Sequence, residues 1–164
     1  MKDRQPNDTG DAHPLPGVVL DDTDKRIIRA LQEDGRMSYT KLGPMVGLSA
    51  PAARQRVLQL IDHGVMQVVA VTDPTTLGFG VQAMLGVKVL GGLDPASHAV
   101  AAFEEVDYVV VTTGRFDLLL EIVCETNAHL LATVNRVRSV DGIAEVEVFS
   151  YIDLVKQTYD WGTR

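Results

Sequence analysis

The stretch GLSAPAARQRVLQL, residues 47–60, reads as a helix that turns one face inward and offers the other to a ligand. Ser49 is a good N-cap, and Ala53, Val57, Leu60 and Ile61 recur at helical spacing. At about 100° per residue, with Ala53 set to zero, that apolar stripe covers roughly −20° to 80°. Pro51, Ala52, Gln55 and Gln59 then fall between about 160° and 260°, away from the core. Ala50, Pro51 and Ala52 make a small-residue first turn that approaches base edges closely, and Gln55 has the bidentate geometry that suits adenine. Arg54 and Arg56, near about 100° and 300°, stand on opposite flanks, each within reach of a phosphate wall of a groove. An ordinary amphipathic helix with a solvated outer face is the alternative.

The sequence around that stretch favours the DNA-reading alternative. Two more helix patterns precede it. LDDTDKRIIRALQEDG takes Asp21 as N-cap, sets acids in its first turn, lines up Ile27, Ile28 and Leu31, and stops at Gly35. SYTKLGPMVG starts at Ser38 with Tyr39 behind it and pairs Leu42 with Val46, while Gly43 and Pro44 predict a short or distorted helix. The third helix ends near Gly64, and VMQVVAV, residues 65–71, reads as a short strand. Three short helices and a strand give the pattern of a winged helix-turn-helix over residues 18–71. Ser38 and Tyr39 at the second helix start join Ser49, Ala50, Pro51, Ala52, Arg54, Gln55 and Arg56 in the expected DNA-contacting set.

The formal net charge of −7 opposes a polyanionic partner, but it is unevenly spread. Residues 20–64 carry seven Lys/Arg against six Asp/Glu, whereas residues 65–164 carry six against thirteen. The segment expected to meet DNA is therefore locally basic, so the overall acidity does not forbid nucleic-acid binding, although it predicts modest non-specific affinity. Residues 1–17, rich in Pro, Gly, Asp and Asn, read as a disordered tail.

Beyond a connector at residues 72–81 the pattern becomes strand, helix, strand, strand, helix, strand over residues 82–164, the order of a ferredoxin-like split unit in an α+β chain. VQAMLGVKVL is the first strand, and Asp94 and Pro95 open a helix running to about Glu105. VDYVVVTT and FDLLLEIVC are separated by Gly114 and Arg115, which predicts a tight hairpin. Thr126 opens the second helix, Gly142 ends it, and IAEVEVFSYI is the last strand. Apolar side chains at Val109–Val111 and Leu118–Leu120 fall on both sheet faces, so the face without helices calls for a cover, most simply a second copy of the sheet.

The TGRFD turn is the second candidate site. Gly114 permits a positive φ that would expose backbone N–H groups to a carboxylate, Asp117 offers a counter-ion for an ammonium, and Arg115 adds a second carboxylate partner. A plain hairpin with Asp117 capping local amides is the bland alternative.

In this combination and order, LDDTDKRIIRALQEDGR, GLSAPAARQRVLQL and VTTGRFDLLLEIV resemble the opening helix, recognition helix and effector hairpin of the Lrp/AsnC (feast/famine) transcriptional regulators, over about Leu20 to the C-terminus. The resemblance implies a DNA-binding domain joined to a ferredoxin-like domain (the RAM type) that dimerises and assembles further, to tetramers or octamers. It also implies an amino acid or related amine bound between dimers, at Thr113, Gly114, Arg115, Phe116 and Asp117 with Val146 and Val148. The chain departs from the family at Leu58 and Gln59, commonly both basic, at Ile61, commonly acidic, and at Gly43 and Pro44, where helix formers are usual. Val146 and Val148 stand where similar proteins often carry threonines, which points to an effector with a partly apolar side chain.

Other classes fit less well. The lone Cys124 lies in an apolar run, excludes an intramolecular disulfide framework and reads as a core residue. His13, His63, His98 and His129 are scattered, with no metal-spaced cluster, nucleophile motif or phosphate-binding glycine loop, so neither an enzyme nor a cofactor is expected. No apolar run reaches the roughly 18 residues that span a bilayer, and the expectation is a cytoplasmic regulator with double-stranded DNA, a small effector and its own copies as partners. A broad DNA-organising protein without an effector is the alternative function; it would carry more positive charge and weak sequence preference.

Overall fold

The computed structural model describes residues 19–158 and Thr163; the expected tail at residues 1–17 lies outside them. The chain divides into two compact units, one up to Ala70 that also takes in residues from Lys156 onward, the other Val71–Val155.

The first unit is three helices around one small core. α1 (Asp22–Glu33) begins with a capping box: Asp21 accepts from the Asp24 N–H and Asp24 accepts from the Asp21 N–H. α2 (Tyr39–Val46) and α3 (Ala50–Asp62) are capped by Ser38 and Ser49, which accept from the Lys41 and Ala52 N–H groups. Ile27, Leu42, Ala53, Val57 and Leu60 form the buried centre, the stripe that the periodicity predicts, with Ile28, Leu31 and Ile61 at its margin.

Gly43 and Pro44 now have a physical account. A Cβ at Gly43 would lie 2.8 Å from the Leu48 carbonyl oxygen and 3.0–3.1 Å from backbone atoms of Ser49 and Ala50. Only glycine lets α2 run this close beneath the turn into α3. The Leu48 N–H donates back to the Gly43 carbonyl at 2.8 Å, closing that turn around Gly47, whose φ of 79° ends α2 in the left-handed region. Pro44, the sixth of the eight residues of α2, cannot donate to the Thr40 carbonyl; Thr40 is exposed, so water can take up that acceptor.

The strand expected at residues 65–71 does not form. That run pairs with nothing in the sheet, and Val68, Val69 and Val71 are exposed. β-propensity supplies a fit to a pleated surface, but a strand also needs a pairing partner, and among the described residues the segment pairs with none. The helix-turn-helix is therefore present without the strand of a wing. The connector at residues 72–81 holds a single 3-10 turn, Thr75–Leu77, ended by Gly78.

The second unit is the expected ferredoxin-like βαββαβ. β1 (Val81–Val89), β2 (Val106–Val111), β3 (Leu118–Cys124) and β4 (Ile143–Ser150) make an antiparallel sheet in the order β2-β3-β1-β4. α4 (Leu93–Ala101) and α5 (Asn127–Arg138) connect them. Strand alternation sends Ala83, Leu85, Val87, Leu118, Leu120, Ile122 and Cys124 into one core with Val100, Leu130, Val134 and Val137 of the helices. Two boundaries differ from expectation. α4 is N-capped by Gly92 without a side-chain bond and stops at Ala101, short of Glu105; Asp94 sits inside its first turn. The connection between β2 and β3 takes six residues, Thr112–Asp117, because Val111 pairs with Leu118 and the strands end there.

Candidate functional site

On α3, the outward set predicted from periodicity is exposed at Pro51, Gln55 and Gln59 and half-buried at Ala52; Arg54 and Leu58 beside it are also exposed, and Ala50 is half-buried. Ser38 and Ser49 lie at the two helix starts with their hydroxyls used as caps. Tyr39 is a different case: its ring packs against the three-helix core. The two arginines also part company. Arg54 is exposed, whereas Arg56 is paired with both carboxylates of the α1 capping box, Nη2 with Asp21 and Nε with Asp24 at 2.8 Å. The symmetric arrangement of two flanking arginines free for phosphate is thus revised, because Arg56 borders the core stripe on the side where α1 begins. Asp21 titrates below its ordinary value, held down first by the Asp24 N–H and, against some burial, by Arg56.

The hairpin loop of the second unit is ordered by its own contacts. Thr112 donates through Oγ1 to the Phe116 carbonyl at 2.5 Å and through N–H to the Asp117 carbonyl at 2.9 Å. Asp117 faces β1: its N–H donates to the Val87 carbonyl, its Oδ2 accepts from the Val89 N–H at 2.9 Å, and its Oδ1 lies 3.7 Å from Lys88 Nζ. Arg115 pairs with Glu147 at 3.0 Å and stacks over the Phe116 ring, which in turn meets Phe149 edge-on at 6.1 Å. The Phe116 ring packs against Gly86, where a Cβ would come within 2.5–2.7 Å of it. Gly86 is thus the floor that lets an aromatic ring lie against the sheet.

Three sequence expectations change here. Gly114 is not among the positive-φ glycines, and open space surrounds it, so the six-residue loop turns without a left-handed residue at that point. Val146 is buried in the core, paired with Val87, and Val148 pairs with Leu85 on the same face. Alternation puts Glu147 and Phe149, the partners of Arg115 and Phe116, on the opposite face, so Val146 and Val148 are not brought together with the loop side chains. Thr113, Gly114 and Arg115 are exposed at the loop tip, with Phe116 and Asp117 half-buried. Lys88 and Glu147, which the sequence reading missed, complete the charge pattern; each lies about 30 positions from its partner, beyond any local signal.

With this geometry in view, the comparisons are informative. An AsnC-type helix-turn-helix domain matches residues 20–61, and an Lrp/AsnC ligand binding domain matches residues 82–161. The chain belongs to the Lrp/AsnC family of transcriptional regulators. It is 33% identical over 123 residues to an HTH-type transcriptional regulator of Mycobacterium tuberculosis, covering 73% of this chain and 83% of that one. It is 30% identical over 145 residues to the proline dehydrogenase transcriptional activator of Rhizobium radiobacter, covering 85% and 93%. Among solved structures, a transcriptional regulator of Neisseria meningitidis in complex with L-Met superposes with a TM-score of 0.76 at 27% identity, covering 86% of this chain and 95% of that one. No helix among the described residues is long and apolar enough to cross a membrane.

Proposed function

We propose that this member of the Lrp/AsnC family binds DNA sequence-specifically through α3 and adjusts that binding to an amino acid or a related amine. The observation that carries the reading is the outward face of the Ser49-capped α3, with Arg54, Gln55 and the small turn Ala50–Ala52 presented by a unit that the AsnC-type domain matches. Arg54 is the phosphate contact, Gln55 the base reader, and the α2 and α3 starts at Ser38 and Ser49 offer N–H groups to the backbone of the duplex.

The effector class is supported by the ligand-binding domain match and by the L-Met complex of the Neisseria relative. The residues for it are Thr113–Asp117 with Lys88 and Glu147, a set holding acidic and basic groups in adjacent pairs. A zwitterion's ammonium would displace Lys88 from Asp117 Oδ1, and its carboxylate would take up the freed lysine or Arg115. The second unit forms a dimer through its helix-free sheet face. That face carries Met84, Val110, Leu119 and Val123 half-buried and Phe149 exposed. Higher assembly, to tetramers or octamers, belongs to the same reading.

The test is selection from a randomised duplex library, repeated with and without a panel of L-amino acids whose binding is read by thermal shift. The expected result is an enriched motif, a stabilising amino acid, and a changed affinity when both are present. Equal binding to selected and scrambled duplexes at fixed salt would favour the broad DNA-organising role instead.

A further inference from the structure

We propose that Arg56 acts as a positioning residue, a clasp that fixes the DNA-reading helix to the start of α1 instead of touching DNA; the inference rests on the DNA-reading role of α3 proposed above. Each carboxylate of the capping box spends one oxygen on the other residue's N–H. Asp21 Oδ1 accepts from Asp24 N–H at 2.7 Å, and Asp24 Oδ2 accepts from Asp21 N–H at 3.1 Å. The two oxygens left over, Asp21 Oδ2 and Asp24 Oδ1, both go to the Arg56 guanidinium, from Nη2 and Nε. The motif that sets where α1 begins is therefore completed by a residue of α3, 35 positions away.

The arrangement is demanding. The Asp24 side chain is 10% exposed, and its Oδ1 has no aligned hydrogen-bond donor, so the nearby guanidinium charge is what compensates it. Two carboxylates at one helix start repel each other unless a cation sits between them. A guanidinium reaches two oxygens at once through its planar fork, whereas an ammonium is a single point of charge. Arg54, lacking such a site, is left to carry the phosphate contact.

Positioning and phosphate contact predict opposite results for the acidic partner. Removing a negative charge from a DNA-binding surface strengthens binding on charge grounds alone; removing the anchor of a clasp weakens it. The experiment measures anisotropy at several salt concentrations for the full chain, against a duplex the parent selects from a random library and a scrambled duplex of equal length. Circular dichroism and stoichiometric titration fix the folded, competent fraction. We expect Arg54→Ala to lower affinity on both duplexes and reduce the salt slope by about one. Arg56→Ala should keep the parent's slope and its affinity for scrambled DNA, while losing roughly tenfold on the selected duplex. Asp24→Asn should lose affinity for the selected duplex in the same way, and Arg56→Lys should not restore it.

A slope reduced by about one in Arg56→Ala, with equal losses on both duplexes, would overturn the proposal. So would tighter binding by Asp24→Asn, or full recovery with Arg56→Lys. If Arg56→Ala does not fold, the Asp24→Asn and Arg56→Lys results decide. A parent that selects no duplex while Arg54→Ala changes nothing would instead remove the DNA-reading role itself, a distinguishable failure.

Discussion

Replacing Gly43 with alanine sets helix propensity against close packing, and the geometry decides which wins. In an exposed helix the change would stabilise by about 1 kcal/mol, because glycine pays the larger backbone entropy. At Gly43 the added methyl meets the Leu48 carbonyl oxygen at 2.8 Å and Ser49 and Ala50 backbone at 3.0–3.1 Å, and all three contacts are main chain. None can swing aside as a side-chain tip would. Overpacking of this kind costs about 1–3 kcal/mol. The expected net effect is a loss of about 0–2 kcal/mol, toward the upper end because the neighbours are main chain, felt in the first unit, with the start of α3 pushed away from α2. Hydrogen exchange read by mass spectrometry separates the two units. Amides of Leu42–Leu60 should lose protection while those of β1 and β3 keep theirs. Unchanged or increased protection across α2 and α3 would refute the close-approach argument, and Gly43 would then be an ordinary weak helix residue.

Four further outcomes follow from the same contacts. Gly114→Ala should leave stability within about 0.5 kcal/mol of the parent by urea unfolding, since the position has neither positive φ nor a close neighbour. Gly86→Ala should lift Phe116 off the sheet and weaken any stabilisation by the amino acid found in the thermal-shift panel, an effect that calorimetry would show as lost affinity in a folded protein. Asp117→Ala removes the acceptor of the Val89 N–H and should cost about 1–3 kcal/mol, so Asp117→Asn is the cleaner probe of ligand binding; equal stability of the two by urea midpoint would contradict the acceptor role. At high pH the sign is set by Tyr151, pushed up to about 12 by burial and then by its bond to Glu121, and by Cys124, whose thiol burial pushes up. Both keep protons in the folded chain that the unfolded chain has released, so stability should be full below about pH 9 and fall as pH climbs toward 12. Tyr151→Phe should flatten the upper part of that decline; a variant as alkali-sensitive as the parent would reject the assignment.

The helix caps Asp21, Ser38, Ser49 and Thr126 and the core stripes were legible because each is written within four or so neighbouring positions. What escaped was long-range or conditional. Arg56 looked free on a helical wheel because its partners belong to another helix. Gly114 permits a left-handed turn without requiring one, and the wider loop did not ask for it. Residues 65–71 have strand-forming side chains, yet none of the described strands pairs with them. Val146 was assigned to the ligand set by resemblance, although the two-residue alternation through Glu145, Val146 and Glu147 already turned it toward the core.

The strand order carries a consequence for how the chain is made. Among the described residues, the apolar core of the three helices is drawn from Leu20 to Met66. β1 emerges next from the ribosome but stands in the middle of its sheet, with Val87 waiting first for Leu118 and then for Val146. The DNA-reading unit can thus close while translation is still in progress, whereas the effector unit stays open, its central edges uncovered, until almost the last strand has been synthesised. During that interval an apolar strand is exposed on a nascent chain, and truncation between β3 and β4 keeps every residue of the three-helix apolar core while leaving β1 without its last partner.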